Sequence, residues 1–351
     1  MDSLTQIVLG AAVGEVVLGR KVGNKAMLYG AIAGTIPDLD TLASNFLDTS
    51  RALEFHRGFT HSIVFSAVFA PIFAWIVTRY EKHKELRGWA WLFFWTFFTH
   101  PILDAHTTWG TQLFWPIDLR LAFKTIFVID PLYTLPFLVC LILAMRRKRT
   151  DGKRRYYNNL GLILSTSYLL ISIVLKGVTY FQFKDALEAQ NIAYKELETR
   201  PSPLNTILWS ANVDTKDAYL LGDYSLFDTA PISFVSYDKN HDLLGELKDN
   251  ERIKRMIKIS KGWYIISQED GQLYFNDLRF GLLSLEPGSM DFVFKYLIQT
   301  DKNGEVRLTE VEKDPVDGRR LLSALWKRLL GIKPDNNTAL TSSPDLQESK
   351  H

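Results

Sequence analysis

Residues 59–78 of this chain read FTHSIVFSAVFAPIFAWIVT and decide what kind of protein it is. The stretch contains no Asp, Glu, Lys or Arg. About 20 mostly apolar residues in a helix are enough to cross the hydrocarbon core of a bilayer. The stretch therefore predicts a transmembrane helix, although the mean hydropathy of the whole chain, −0.03, is that of an ordinary soluble protein.

Five other apolar stretches accompany it, so the sequence predicts an α-helical polytopic membrane domain with about six transmembrane segments. Two of the five are weaker than the rest, because the first is short and carries a Gln and a Glu, and the second is interrupted by Pro-Asp-Leu-Asp. The five stretches are residues 4–19, 26–46, 88–107, 126–145 and 159–176.

The basic residues of the connecting loops predict the orientation of these segments. Fourteen Lys and Arg residues lie in loops 20–25, 79–87 and 146–155, against four in loops 48–58 and 109–125. Lys and Arg collect in cytoplasmic loops, so the first set is expected inside the cell. The N-terminus and everything after the sixth segment are then extracytoplasmic.

Beyond the apolar half, the sequence predicts a small α+β, strand-rich extracytoplasmic domain. Strand-like runs recur between residues 206 and 311, and Asp-Gly at 270–271 and Asn-Gly at 303–304 are typical of hairpin turns. No phosphate loop and no nucleophile elbow is evident in this part, which favours an accessory or lid role. The predicted organisation is a transmembrane metal-site domain at 1–180, a connecting segment at 181–203, the α+β domain at 204–331 and a disordered tail at 332–351.

The composition of the chain limits the kinds of molecule that it is expected to bind. The chain has 41 basic and 39 acidic residues, a net charge of +2, which does not suggest binding to nucleic acid. The single cysteine, Cys140, permits no intramolecular disulfide and no cysteine-based metal site. The expected partner is the lipid bilayer, and the sequence leaves the oligomeric state open.

Ionisable side chains inside the apolar half form three clusters. Each cluster lies towards the outer end of its predicted segment. Such groups are costly to place in a membrane and are functional hypotheses by default. The residues are Asp38, Asp40, His56, His61, His100 and Asp104.

The types and spacings of these residues indicate a metal site. His100 and Asp104 are four residues apart, so an imidazole nitrogen and a carboxylate oxygen share one helix face and can bind the same ion. A helix break at Pro37 is tolerated at membrane depth only where it lines protein or a polar cavity. A mixed His and Asp set suits zinc, manganese or iron, and six ligands are enough for one or two divalent ions. Taken singly, each residue also fits a structural hydrogen bonder or a helix cap.

Two further residues are candidates for catalytic roles. Arg57 is predicted either to bind an anion such as phosphate or to anchor its helix at the lipid headgroups. His106 lies two residues after Asp104 and faces elsewhere on a helix, so it is a candidate proton shuttle rather than a ligand. Supporting hydrogen bonds are expected from Thr60, Thr107 and Thr108.

Four short motifs together resemble a known family: MDSLTQ at the start, PDLD at 37–40, HRGFTHS at 56–62 and HPILD at 100–104. They are similar to the bacterial inner-membrane metal-dependent hydrolases whose best-known members are regulated by the LexA repressor. That family is remotely similar to zinc-dependent phospholipase C and single-strand nucleases, which are phosphoesterases. The resemblance implies a multi-pass protein of the bacterial inner membrane with hydrolase activity. By this resemblance, the expected metal ligands are Asp38, Asp40, His56, His61, His100 and Asp104.

We therefore expect an integral membrane metal-dependent hydrolase that uses one or two divalent ions, zinc first, near the outer membrane face. Its substrate is expected to be a phosphate ester or a lipid-like or lipid-linked molecule. The same cluster also fits the ion or proton pathway of a transporter. A third alternative is a structural or regulatory membrane protein that the metal only stabilises.

Overall fold

The N-terminal half of the chain is helical. The computed structural model describes residues 1–283, 288–302, 304–313 and 318–333, without the side chains of residues 43 and 44. Short 3-10 helices cover Pro37–Phe46 and Phe59–His61. The α-helices of this half are α1 (Ser3–Val22), α2 (Asn24–Thr35), α3 (Thr49–Phe55), α4 (Ile63–Tyr80), α5 (Leu86–Ala105), α6 (Pro131–Met145) and α7 (Gly152–Ala189).

The predicted transmembrane segments correspond to helices α1, α2, α4, α5, α6 and α7. Among the described residues, α1, α4 and α7 are long and apolar enough to cross a membrane, and α6 is a shorter apolar helix. Helix α6 begins five residues later than expected, because Asp130 caps it by accepting hydrogen bonds from the backbone N–H groups of Leu132 and Tyr133. Helix α2 has only 12 residues.

Helices α1 and α2 form a tight antiparallel hairpin across Gly23, whose φ is +66°. Gly10 lies against Gly30, and Gly34 lies against Gln6. A Cβ atom on Gly30 would come 2.1 Å from the carbonyl oxygen of Gly10, so the two backbones touch directly. The small residues of this region therefore set the distance between the two helices.

The predicted helix break at Pro37 is present. Helix α2 ends at Thr35, and the chain continues as the 3-10 helix Pro37–Phe46. Proline lacks a backbone N–H and clashes with the preceding turn, which ends an α-helix. The break turns Asp38 and Asp40 towards the end of the helical bundle at which α5 ends and α4 begins.

The C-terminal half contains two antiparallel four-stranded sheets, each in sequential order. The 3-10 helix His241–Asp249 and α8 (Glu251–Ile259) connect the sheets, and α9 (Gly318–Leu329) follows the second. The first sheet comprises β1 (Glu196–Pro201), β2 (Leu208–Asp214), β3 (Ala218–Ser225) and β4 (Phe234–Asp238). The second comprises β5 (Tyr264–Glu269), β6 (Gln272–Leu282), β7 (Phe292–Thr300) and β8 (Val306–Glu310).

Most of the predicted strands and turns appear in this domain. Asp270 and Gly271 join β5 to β6 with φ angles of +48° and +77°, as the hairpin signal indicates. Gly304, with φ +81°, lies between β7 and β8, whereas Asn303 lies outside the described residues. Strand β1 falls within residues 181–203, for which only a connection was expected. The predicted tail lies outside the described residues from residue 334 onward.

Contacts of helices α7 and α3 help to fix the strand-rich domain to the helical bundle. Helix α7 has 38 residues and is about 57 Å long, which exceeds a hydrocarbon core of about 30 Å. Its last turns bury Phe183 and Leu187 in a cluster with Trp209 of β2. Helix α3 packs against α8, where Glu54 forms an ion pair of 2.9 Å with Arg255. The domain is therefore held against one end of the bundle.

Candidate metal centre

Four side chains from separate parts of the chain converge at this end of the bundle. They are Asp38, which follows the break after α2, His61, which precedes α4, and His100 and Asp104, one turn apart at the end of α5. One nitrogen or oxygen atom of each lies within 4.8 Å of the others. The side chains of His61, His100 and Asp104 are almost completely buried, whereas that of Asp38 is 24% exposed.

The distances between donor atoms fit a tetrahedral ion. The Nε2 atoms of His61 and His100 are 3.1 Å apart. Asp38 Oδ1 lies 3.3 Å and 3.4 Å from these two nitrogens, and Asp104 Oδ2 lies 3.4 Å and 3.5 Å from them. In a regular tetrahedron with zinc bonds of about 2.0–2.1 Å, neighbouring donor atoms are about 3.3–3.4 Å apart. Five of the six edges therefore measure 3.1–3.5 Å, close to the length that a bound zinc ion would require.

Hydrogen bonds at the far side of each imidazole assign the tautomers. His100 Nδ1 donates to the carbonyl oxygen of Gly34 at 2.8 Å. His61 Nδ1 donates to Thr60 Oγ1 at 3.0 Å, and the Thr60 hydroxyl donates in turn to Asp40 Oδ2 at 3.1 Å. When both imidazoles are neutral and carry their proton on Nδ1, the two Nε2 atoms present lone pairs to each other. A cation between them resolves this repulsion, and metal-binding histidines are commonly oriented in this way.

Asp104 supplies a carboxylate oxygen to the same space. Its Oδ1 accepts hydrogen bonds from Gln6 Nε2 at 2.9 Å and from the α-amino group of Met1. Its Oδ2 is buried and has no hydrogen-bond partner among the described residues. Arg57 Nε lies 3.2 Å from that oxygen. A buried carboxylate oxygen without a hydrogen bond is expensive, and a metal ion at this position satisfies it.

Asp40 and His56, also predicted as ligands, lie beside these four side chains. Asp40 accepts hydrogen bonds from the backbone N–H of Arg57 at 2.8 Å and from Thr60, and its Oδ1 lies 2.9 Å from His56 Nδ1. The second oxygen of Asp40 is 3.4 Å from His61 Nδ1. In this arrangement Asp40 orients two histidines, and His56, 26% exposed, lies at the edge of the site.

The two candidate catalytic residues occupy different places. Arg57 is buried, and its Nη1 donates to Thr107 Oγ1 at 2.9 Å, so its charge lies next to Asp104. Thr107 in turn donates to the carbonyl oxygen of Asp104, as expected of a supporting residue. His106 contacts Thr125, with 2.8 Å between His106 Nδ1 and Thr125 Oγ1.

The strand-rich domain covers the exposed edge of the site. The ring of Trp109 lies 5.8 Å from that of His56 and 5.7 Å from that of Phe280 in β6. The guanidinium of Arg279 lies 5.1 Å from the centre of the same indole ring. Arg120 donates two hydrogen bonds of 3.0 Å to the carbonyl oxygen of His56.

Burial and the nearby charges of Arg279 and Arg57 lower the pKa of Arg120 to about 10. Arg120 therefore stays protonated at neutral pH, and the loop next to the site keeps its positive charge.

Sequence reasoning missed Gln6 and Trp109 as parts of the site. Gln6 was visible as a polar residue in an apolar segment, and it is 1% exposed because it bonds Asp104 and the carbonyl oxygen of His100. Trp109 gave no comparable signal, since its role depends on Arg279 and Phe280, which lie 170 and 171 residues further along the chain. Polar residues in weak spans are thus informative, whereas contacts between distant domains leave no local pattern.

Comparison with known proteins assigns the helical half of the chain to a protein family. The family model described as YdjM inner membrane protein matches residues 1–179, which include every residue of the site. Inner membrane protein YbcI of Escherichia coli (strain K12) is 34% identical over 99 residues. That match covers 28% of this chain, and the chain spans 57% of the length of this curated relative. No solved structure matches. The family match covers half of the chain, and the chain therefore belongs to the YdjM inner membrane protein family.

Proposed function

We propose that this protein is an integral inner-membrane hydrolase that depends on a divalent metal ion, zinc first, and cleaves a phosphate ester or a lipid-like substrate. The observation that carries the proposal is the donor set of Asp38, His61, His100 and Asp104, with five donor distances between 3.1 and 3.5 Å. Two imidazoles of assigned tautomer and two carboxylates are ligands that zinc, manganese and iron accept.

Each residue of the site has a definite task in this proposal. These side chains would hold a divalent ion, and where the partly exposed Asp38 leaves its position to a water molecule the ion would supply Lewis acidity for that water and for a phosphoryl oxygen. Asp40 holds the imidazole of His61 through Thr60, and Gly34 holds that of His100. Asp38 is the most exposed of the four ligands and marks the side from which a substrate enters.

The positive charges beside this opening support a phosphate ester as the proposed substrate. Arg57 lies within hydrogen-bonding distance of Asp104, and the protonated Arg120 holds the adjoining loop. Positive charge stabilises the negative charge that develops on a phosphoryl group. Arg57 is proposed to act on the phosphate, and His106 is proposed to move protons to or from the site.

The position in the membrane is part of the proposal. We infer that the six helices α1, α2, α4, α5, α6 and α7 span or enter the bilayer and that the loops rich in Lys and Arg face the cytoplasm. The site lies at the opposite end, where α4 begins and α5 ends. A lipid-linked substrate then meets the site near the outer leaflet, beneath the extracytoplasmic strand-rich domain.

Metal content is the first test. The full chain is purified in detergent, its bound metal is counted, and the count is repeated for His100→Ala and Asp104→Asn. His83→Ala is the matched control, because His83 pairs with Glu85 at the opposite end of α5. Loss of metal in the two site variants but not in the control is expected. Equal metal content in all four proteins contradicts the site.

Turnover separates the enzyme from its alternatives. Phosphate monoesters, phosphodiesters and phospholipids are offered to the metal-loaded protein, and His100→Ala is expected to lose at least about a hundredfold in rate. Bound metal without turnover on any of these substrates favours the structural alternative. Metal-dependent ion flux into vesicles, again without turnover, favours the transport alternative.

A further inference from the structure

Helix α9 is amphipathic, and the fold uses only part of its apolar face. Its sequence, GRRLLSALWKRL, places leucine and tryptophan side chains over about half of the helix circumference. Leu329 is buried against the strand-rich domain, and Leu321 and Leu325 are partly buried. The remaining apolar residues lie one turn apart on an adjoining stripe: Leu322, Trp326 and Leu330.

This stripe is open. Leu322 is 55% exposed, Trp326 63% and Leu330 47%, and Ile332 beyond the helix is 56% exposed. A contiguous group of exposed large apolar side chains marks a surface that contacts something else. Lys327 and Lys333 flank the stripe. A helix with an apolar stripe bordered by Lys and Arg is the kind that lies in the interface of a bilayer.

The helix is firmly fixed by its other side. Arg328 is buried and forms two hydrogen bonds, of 2.7 Å and 2.6 Å, with the carboxylate of Asp228. Ser225 donates to the carbonyl oxygen of Leu329, and Lys333 donates to that of Pro231. The exposed stripe is therefore not the result of a loose helix.

A chain of direct contacts leads from α9 to the membrane-spanning part. The backbone N–H of Leu226, two residues before Asp228, donates to the carbonyl oxygen of Ile207. Thr206, next to Ile207, lies 3.1 Å from the hydroxyl of Tyr168 in α7. Tyr168 also donates to Asp130, the residue that caps α6.

The hydrogen bond of Tyr168 shows at which end of the bundle this contact lies. Tyr168 bonds the residue that caps the first turn of α6, so the contact lies at the end of the helical bundle that carries the strand-rich domain. Helix α7 keeps an exposed apolar face beyond this point, at Val174 and Phe181.

We propose that α9 is an interfacial helix, which inserts Leu322, Trp326 and Leu330 into the leaflet on the side of the strand-rich domain. Its basic residues then meet anionic headgroups, to which Lys and Arg are attracted near a membrane surface. The domain is thereby anchored to the bilayer at a point separate from α7. This inference does not depend on the metal site or on hydrolysis.

The test measures the depth of α9 in the full chain. The single cysteine is removed by the substitution Cys140→Ala, and a new cysteine is introduced by Trp326→Cys and labelled with a fluorophore. The protein is placed in vesicles of phosphatidylethanolamine and phosphatidylglycerol that contain spin-labelled lipid. Ala324→Cys is the matched control, because Ala324 is exposed on the opposite side of α9. Leu322→Cys provides a second position on the stripe.

The expected result is quenching at position 326 about twofold stronger than at position 324, with position 322 following 326. Equal quenching at the stripe and at the control position overturns the proposal. Labels on the stripe that are shielded in both detergent and vesicles, but not quenched by the lipid, also overturn it, because protein then covers the stripe. Weaker quenching is expected when phosphatidylglycerol is replaced by neutral lipid, and unchanged quenching contradicts the role of the basic residues.

Discussion

At the residue scale, Asp38 and Asp40 show how much of the candidate site could be predicted from the sequence. Both were predicted as ligands from their position after Pro37. In the structure Asp38 joins His61 and His100, whereas Asp40 bonds Thr60 and His56. The residue types and the helix break at Pro37 were readable from the sequence. Which oxygen faces the common centre depends on the 3-10 backbone and on contacts about 20 residues away, and no local pattern records those.

The role of Asp40 gives a first prediction. Asp40→Asn keeps the shape of the side chain but removes the negative charge that orients His61 through Thr60. Residues that support metal ligands in this way change metal affinity by about 10–100-fold when substituted. We expect a loss of that size for zinc, measured by competition with a chelating dye. Asp118→Asn, at an exposed carboxylate paired with Lys258, is the control and should leave the affinity unchanged.

Glu15, which had no role in the sequence analysis, has a partner in Arg154. Arg154 Nε and Nη2 donate to the two oxygens of Glu15 at 2.6 Å and 2.5 Å, and both side chains are buried between α1 and α7. Because removal of one member leaves a buried charge, Glu15→Gln should lower the free energy of unfolding by about 3–5 kcal/mol. Unfolding in mixed detergent micelles, followed by circular dichroism, measures this.

The exposed pair of Lys184 and Glu188 provides the comparison for Glu15. Its side chains are 41% and 62% exposed, so Glu188→Gln should change the free energy of unfolding by less than about 1 kcal/mol. If Glu15→Gln and Glu188→Gln lower the free energy of unfolding by similar amounts, the buried pair stabilises the protein no more than the exposed pair does.

At the element scale, the sequence predicted most helices, strands and turns because each has a local signature. Apolar length predicted α4 and α7, and Asp-Gly predicted the hairpin between β5 and β6. Strand β1 was missed, since its sequence, ELETRP, is polar and ends in proline. It forms because β2 offers an edge with which all six of its residues are in register. Tertiary pairing thus overrides a weak local preference.

The contact between α1 and α2 gives a prediction at this scale. In Gly30→Ala the new Cβ would lie 2.1 Å from the carbonyl oxygen of Gly10, so the helices must separate. We expect a loss of about 3 kcal/mol in the free energy of unfolding, together with weaker metal binding, because α2 carries the Gly34 carbonyl that orients His100.

A matched glycine distinguishes packing from helix propensity. Gly177 lies in α7, and no atom of the described residues lies within 4 Å of the position that a Cβ atom would take there. Gly177→Ala should therefore leave metal binding intact and stabilise the helix by up to about 1 kcal/mol. A destabilisation equal to that of Gly30→Ala shows that close packing is not the cause.

At the scale of the whole molecule, the average composition concealed two unlike halves. The sequence predicted the division into a membrane part and a strand-rich part from the distribution of apolar residues. It did not predict that the second part lies on the candidate site through Trp109, Arg279 and Phe280. That contact depends on the docking of two domains, which no periodic pattern encodes.

The orientation of the molecule yields the prediction at this scale. In a Cys140→Ala background, Lys216→Cys on the strand-rich domain should react with a membrane-impermeant maleimide in intact spheroplasts. Lys153→Cys, in the first turn of α7 and within the stretch richest in basic residues, should react only after the membrane is opened. Both positions are exposed. The reverse pattern contradicts an extracytoplasmic strand-rich domain.

Helix α7 has a mechanical consequence. It runs without a break from the bundle into the core of the strand-rich domain, where Phe183 and Leu187 are buried. A spanning helix adapts to a thinner or thicker bilayer by changing its tilt, and a continuous helix carries that tilt to its far end. The domain at that end packs against Trp109, whose ring lies next to that of His56. We therefore expect α7 to act as a lever, through which bilayer thickness alters access to the site.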